Sequence, residues 1–280
     1  MYVADAAPGL AEAALLGVPV RGSDAPGLPD GHAHVVGARA ALAWFARVGV
    51  PERVSIGLVE SDGRGALSWV ELPDRAMVVA RSRFAVDHAV QRGVPRDRVT
   101  LVPPARAVAM LLATAPPPPT RLRRALVVGG SAAGLAELRG VWDRVAAHLA
   151  GARLSVLERG TPDALAHEAI GRSDLVITLL DADGGPEDGL TARLVDAAAL
   201  ARPLLVEGHP CLLDVAAPHI SALAVSPGDV DGFGAALVRL ASRPGELQRL
   251  GAGGQALAAA CDVSVVRPAL EQIFGLAGAS

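Results

Sequence analysis

From Ala125 onward, short apolar runs alternate with longer segments of helical spacing. Ala125–Gly130 (ALVVGG) is an apolar run ending in glycine, as a buried strand would, and Leu135–Ala150 repeats its apolar positions with helical period. The alternation continues with a strand at Ala152–Glu158, a capped helix at Thr161–Arg172 and a strand at Asp174–Leu180. A helix at Thr191–Ala201, a strand at Arg202–Glu207 and a further strand in Ser221–Pro227 follow. Two closing helices are predicted through Asp231–Ser242 and Pro244–Ala260. Strands separated by helices of this length imply right-handed βαβ units and a parallel sheet covered on both faces.

The N-terminal part has the same grammar. Met1–Asp5, Val18–Asp24, Arg53–Ser61, Arg75–Arg81 and Arg98–Pro104 read as strands. Pro8–Gly17, His34–Gly49 and Phe84–Gly93 read as helices, which together make half or more of a second Rossmann-like sheet. Between the two parts stands Pro116–Pro119, and a proline run lacks backbone donors and favours an extended, semi-rigid linker. The expected organisation is therefore an incomplete N-terminal domain over 1–115, a linker over 116–121 and a nucleotide-binding-type domain over 122–280.

Composition narrows the function. The 280 residues suffice for two modest domains with proper cores, and the 51% hydrophobic fraction contains only 3% aromatics. All 26 basic residues are Arg, which fits a GC-rich genome and lowers the structural weight of abundant Ala and Gly. A formal charge of −3 argues against a nucleic-acid partner. Cys211 and Cys261 lack the spacing of a zinc site or a disulfide framework, so no metal and a reducing, cytoplasmic setting are expected. Neither a signal peptide nor a membrane span is legible, although peripheral contact with a membrane surface stays open.

Two loops have the chemistry to hold a ligand, because parallel α/β sheets bind beyond the carboxyl ends of their strands. The first is Gly129-Gly130-Ser131-Ala132-Ala133-Gly134, whose small residues would let backbone amides approach a phosphate. It nearly spells the dinucleotide fingerprint, with Glu158 as a ribose ligand, and so keeps an FAD or NAD oxidoreductase as a third reading. The second runs from Asp183 through Gly189 and Leu190 to Thr191, where Thr191 is expected to cap the next helix. Asp188 and Asp196 flank that helix start and can accept hydrogen bonds from sugar or ribose hydroxyls. Solvated surface acids and a ligand-free turn are the bland alternatives.

Several segments resemble the GT-B glycosyltransferases. Arg81–Pro104 is similar to the stretch that closes their N-terminal domain. Asp188–Pro203 (DGLTARLVDAAALARP) resembles their E-x7-E motif without a gap, with Asp188 and Asp196 at the two Glu positions. Ser226–Gly254 is similar to the family's C-terminal helix pair, and Gly22-Ser23-Asp24 resembles an HGSD-type strand end. Trp69–Ser82 is similar to the MurG-like branch. The resemblance implies two Rossmann-like domains with parallel sheets, the N-terminal one truncated.

It also implies a nucleotide-diphosphate sugar as donor substrate, with no separate cofactor, and an unidentified small-molecule, glycan or lipid acceptor. Asp188 would meet the sugar hydroxyls in the catalytic site and Asp196 the ribose, with Gly129, Gly130, Ser131, Gly189, Leu190 and Thr191 around the nucleotide. The family's diphosphate-binding Arg and Lys have no match in Val127–Leu138, where Arg139 is the nearest cation in sequence. His34, in a loop DGHAH, is the candidate catalytic base, with His32, Asp24 and Asp62 as alternatives. A catalytically inactive GT-B-like partner or scaffold, completed by another protein, is the alternative function.

Overall fold

A computed structural model describes residues 2–3, 20–21, 32–36, 53–57, 76–182 and 189–274 of the chain. The chain divides into two compact units, Met1–Arg106 with Cys261–Ser280, and Ala107–Ala260.

The first unit carries six strands: β1 (Tyr2–Val3), β2 (Val20–Arg21), β3 (His32–Val36), β4 (Arg53–Gly57), β5 (Ala76–Ala80) and β6 (Val99–Leu101). They lie in the order β2-β1-β3-β4-β5-β6, with every pair parallel. Helix α1 (Arg83–Gln91) follows β5, and the Ser82 hydroxyl caps it by accepting from the Ala85 amide at 3.1 Å. One expectation fails here. His34–Val36, read as the start of a helix, is the second half of β3, paired with β1 on one side and β4 on the other. A short apolar run does not reveal its period, and Val35-Val36 suits a strand hydrogen-bonded on both edges. The remainder of that expected helix, and the one at Pro8–Gly17, lie outside the described residues.

The second unit opens with α2 (Val108–Thr114), an element the apolar pattern did not single out. Then come β7 (Arg124–Val128), α3 (Ala132–Val145), β8 (Arg153–Leu157), α4 (Asp163–Arg172), β9 (Leu175–Thr178) and α5 (Leu190–Ala199). Strands β10 (Leu204–Glu207) and β11 (Ala222–Val225) and helices α6 (Val230–Ser242) and α7 (Pro244–Ala258) complete it. The five strands are parallel, in the order β11-β10-β9-β7-β8. Counted from its own first strand this is the doubly wound order 2-1-3-4-5, and the first unit begins the same way. Alternate residues Ala125, Val127, Leu175, Ile177, Leu205 and Leu223 pack with Leu138, Trp142 and Phe233 of α3 and α6. All four residues of β9 are buried, as a central parallel strand covered on both faces requires.

Helix α7 contains Gly251, Gly253 and Gly254, which cost helix propensity and call for a packing reason. A Cβ on Gly251 would stand 2.4 Å from the Ala201 carbonyl oxygen, and one on Gly253 2.2 Å from that of Ile220. The missing side chains let α7 lie directly on neighbouring backbone.

The chain also divides elsewhere than at Pro116–Pro119. The break falls between Arg106 and Ala107, and the proline run belongs to the second unit. Its carbonyls are held by buried Arg202, which donates to Pro116 O at 3.0 Å and Pro117 O at 2.7 Å. Nor does the second unit run to the C-terminus. Helix α8 (Val263–Phe274) returns to the first unit, where Val266 and Leu270 pack with Val79, Val102 and Ala105. No helix among the described residues is long and apolar enough to cross a membrane.

Candidate functional site

In the second unit β7 lies between β8 and β9, so the chain leaves its carboxyl end in opposite directions for successive strands. Such a switch point opens a crevice beyond the strand ends, where ligands of open α/β sheets bind. The Gly129–Gly134 turn stands there. Gly129 and Gly130 take φ of 78° and 96°, a region that favours glycine. A Cβ on Gly130 would come within 2.7 Å of Leu179 Cβ, so the turn is in close contact with the segment leaving β9. Ser131 caps α3, its hydroxyl accepting from the Gly134 amide at 3.1 Å. The expected small-residue turn into a helix N-terminus is therefore present, with the partial positive end of the helix dipole directed into the crevice.

A cation also reaches this crevice, and it is not Arg139, which is exposed on α3. Arg159, two residues beyond β8, donates from Nη2 to the Gly130 carbonyl at 3.4 Å and to the Asp181 carboxylate after β9. Its guanidinium thus spans the carboxyl ends of three adjacent strands, β8, β7 and β9, while the side chain stays 58% exposed. Sequence spacing gave no sign of it, because only the strand order places the residue after β8 beside the turn after β7.

Glu207, the last residue of β10, was equally hidden. Its carboxylate accepts from the Leu180 amide at 2.6 Å and the Gly228 amide at 3.2 Å, tying together the segments after β9 and β11. Beside it Gly134, Leu179, Gly228 and Phe233 help line a small cavity of about 30 Å3.

The second expected loop has a different character. Helix α5 starts at Leu190, and its cap is Gly189, at φ 85° and without a side-chain hydrogen bond. Thr191 is therefore not the cap: it is buried inside the first turn. Leu190, anchored in the core, draws the helix start one residue forward.

Asp196 is not a solvated surface acid. Its carboxylate is wholly buried, with His167 Nε2 of α4 at 3.0 Å and Arg193 Nη1 at 3.8 Å from Oδ2. Arg193 also pairs with Asp163 at 2.9 Å and donates to the Thr161 carbonyl at 2.9 Å. The expected hydroxyl acceptor is thus engaged in stitching α4 to α5.

Asp188, with the rest of 183–188, lies outside the described residues, as do Asp24 and Asp62. His34 and His32 stand in β3 rather than in a loop, and they belong to the first unit. The structure accordingly sets Gly129, Gly130 and Ser131 after β7 beside Arg159, makes Gly189 the cap of α5, and places Leu190, Thr191 and Asp196 in the interior.

Comparison of the sequence with protein-family models finds no match, and comparison with curated proteins finds no significant one. Solved structures do match. A trehalose-6-phosphate synthase shares 13% identity at a TM-score of 0.65, over 89% of this chain and 74% of its own. TarM of S. aureus, in complex with UDP, shares 8% identity at a TM-score of 0.62 over 86% of this chain, which spans 55% of TarM's length. HepE of Anabaena, also in complex with UDP, shares 11% identity at 0.58, over 98% of this chain and 99% of its own. These are GT-B glycosyltransferases, and a likeness at such identities is one of architecture: the chain has the GT-B fold.

Proposed function

We propose that the chain binds a nucleoside-diphosphate sugar at the carboxyl edge of β7 and β9 and transfers the sugar to an acceptor. The observation that carries this reading is the Gly129–Gly130 turn at the switch point with the Arg159 guanidinium laid across it. Breaking a glycosidic bond to a diphosphate leaves negative charge on the leaving group, and an enzyme lowers that barrier by aiming fixed positive ends at it. The α3 N-terminus and the turn amides supply fixed dipoles. Arg159 supplies a full charge, passing from Asp181 to the diphosphate when the donor enters. UDP is the first nucleotide to test, since two proteins of similar fold are in complex with it.

In this reading Asp188, directly before the α5 cap, meets the sugar hydroxyls. Asp196 acts one step removed, holding α5 against α4 so that its first turn stays in place. The acceptor is a hydroxyl-bearing small molecule, glycan or lipid.

The burial of Asp196 favours a second reading, a protein that binds the sugar nucleotide without turning it over. Thermal-shift measurements with UDP-, GDP- and dTDP-sugars, beside NAD and FAD, test the binding step, because a ligand of the folded state raises the melting temperature. Stabilisation by none of the sugar nucleotides would overturn both readings, and stabilisation by FAD or NAD alone would replace them with an oxidoreductase. Release of free UDP from a bound UDP-sugar, with an acceptor mixture present, separates transfer from binding.

A further inference from the structure

Away from the switch point, α3 and α6 enclose a groove of about 560 Å3 on the outer side of the second unit. Its floor is apolar, formed by Val141 and Val145 of α3 and by Val230, Ala235 and Val238 of α6. Gly234 faces α3 across the groove, where a Cβ would make ordinary contact with Val145 Cγ1 at 3.5 Å. Arg144, His148, Arg239 and Arg243 line the same groove, and Asp231 is the single carboxylate among its lining residues. Arg144 and Arg243 are exposed, while Arg239 is paired with Glu246 of α7.

With Arg239 neutralised by Glu246, Arg144 and Arg243 outweigh Asp231, a local excess of positive charge in a chain whose formal charge is −3. Cations near helix C-termini complement the helix dipole, which accounts for Arg144 and Arg239 individually. It does not account for a concave apolar floor between them.

We infer that this groove docks an acidic amphipathic helix of a partner protein. Both helices follow strands of one parallel sheet and pack on one face of it, so they run in the same sense for about 20 Å. A trough between two such helices receives the side-chain ridge of a third. The valines would take apolar residues spaced three and four apart, and the flanking arginines would take Glu or Asp beside them. A flat lipid surface would meet the arginines and miss the valine floor, which favours the helix. This inference is independent of nucleotide binding.

The test uses the full chain and a fluorescein-labelled peptide of about 18 residues, built of Leu and Glu with one apolar helical face. Anisotropy should show saturable binding that weakens with added salt. A peptide of the same composition but scrambled order, and one with Lys in place of Glu, should each bind at least about tenfold more weakly. The double variant Arg144→Glu/Arg243→Glu and the single variant Val238→Glu should each lower affinity by about tenfold or more. Arg172→Glu, on α4, should leave it unchanged, and melting curves would verify that all variants fold. Absence of saturable binding up to about 1 mM would overturn the inference, as would equal binding of the scrambled peptide or indifference to the groove variants. Arginine-dependent binding to vesicles of phosphatidylcholine and phosphatidylglycerol, without peptide binding, would overturn it in favour of a membrane surface.

Discussion

His167 Nε2 lies 3.0 Å from Asp196 Oδ2, joining a partly exposed ring on α4 to a carboxylate on α5 that has no solvent exposure. The pair makes Asp196, for which the resemblance implies a ribose contact, a tie between two helices. A buried charge that loses its partner, or a partner left facing an empty site, is costly. Asp196→Ala should therefore destabilise the protein by about 2–4 kcal/mol in urea unfolding, and His167→Ala by at least as much, because it leaves the buried carboxylate without its nearest partner. A loss below about 0.5 kcal/mol for Asp196→Ala would show the tie to be unimportant.

Arg159 should behave in the opposite way. Its pair with Asp181 is largely exposed, and exposed pairs contribute little to stability. Arg159→Ala is expected to leave the melting temperature almost unchanged and to weaken UDP-sugar binding by about tenfold or more, since a charge-assisted contact to phosphate is lost. Calorimetric titration of both proteins checks this, and equal affinities would remove Arg159 from the site.

At Gly130 the backbone itself is the constraint. Alanine there must hold φ at 96° and place its Cβ against Leu179, which must shift to admit it. Gly130→Ala should cost about 1–3 kcal/mol and weaken nucleotide binding together with stability.

Arg202 anchors the proline run through its guanidinium. Buried among carbonyls, it donates to Leu200 O at 2.8 Å and Ser173 O at 3.0 Å besides Pro116 O and Pro117 O. Burial lowers its pKa from the ordinary arginine value, yet arginine stays protonated in proteins. Arg202→Met should leave these acceptors unsatisfied, cost about 2–4 kcal/mol and speed proteolysis around Pro116–Pro119. Unaltered cleavage would show that the run is held by other contacts.

Two groups predict how stability changes with pH. The hydrogen bond from Arg239 holds the Glu246 carboxyl below its ordinary range, against an opposing desolvation. A depressed folded pKa means that the unfolded chain takes up the proton first as pH falls. The stabilisation is complete above the ordinary glutamate value of 4.5 and is withdrawn as pH falls through the lowered folded value. For His88, burial and then the neighbouring Arg92 lower the pKa below 6.5, so its neutral ring costs stability once the unfolded chain protonates beneath that value. Urea midpoints measured from pH 7.5 down to about pH 3 should fall in two stages. Glu246→Gln should flatten the acid stage and His88→Phe the earlier one, and slopes unchanged in either variant would refute that assignment.

The elements of the second unit were largely legible, because their apolar runs and helix starts announce themselves locally. Ser131 after Val128 and the run Leu175–Thr178 each needed only neighbouring residues to be read. The strand at His32–Val36 was misread as a helix start, since five residues do not carry a period. Helix α8 was unread, and no local pattern could show that Val266 and Leu270 complete the first unit.

By itself the sequence determined the alternation of strand and helix, the glycine turn after β7 and the small residues that turn requires, all consequences of local sterics and period. The tertiary structure alone decided that the strands take the order β11-β10-β9-β7-β8, and that order is what carries Arg159 to Gly130 and Glu207 to Leu180. It also decided that Asp196 is buried against His167. The physical reason is the same in each case: the side of a helix that faces inward, and the strand ends that become neighbours, depend on contacts between residues tens of positions apart, which spacing along the chain does not encode.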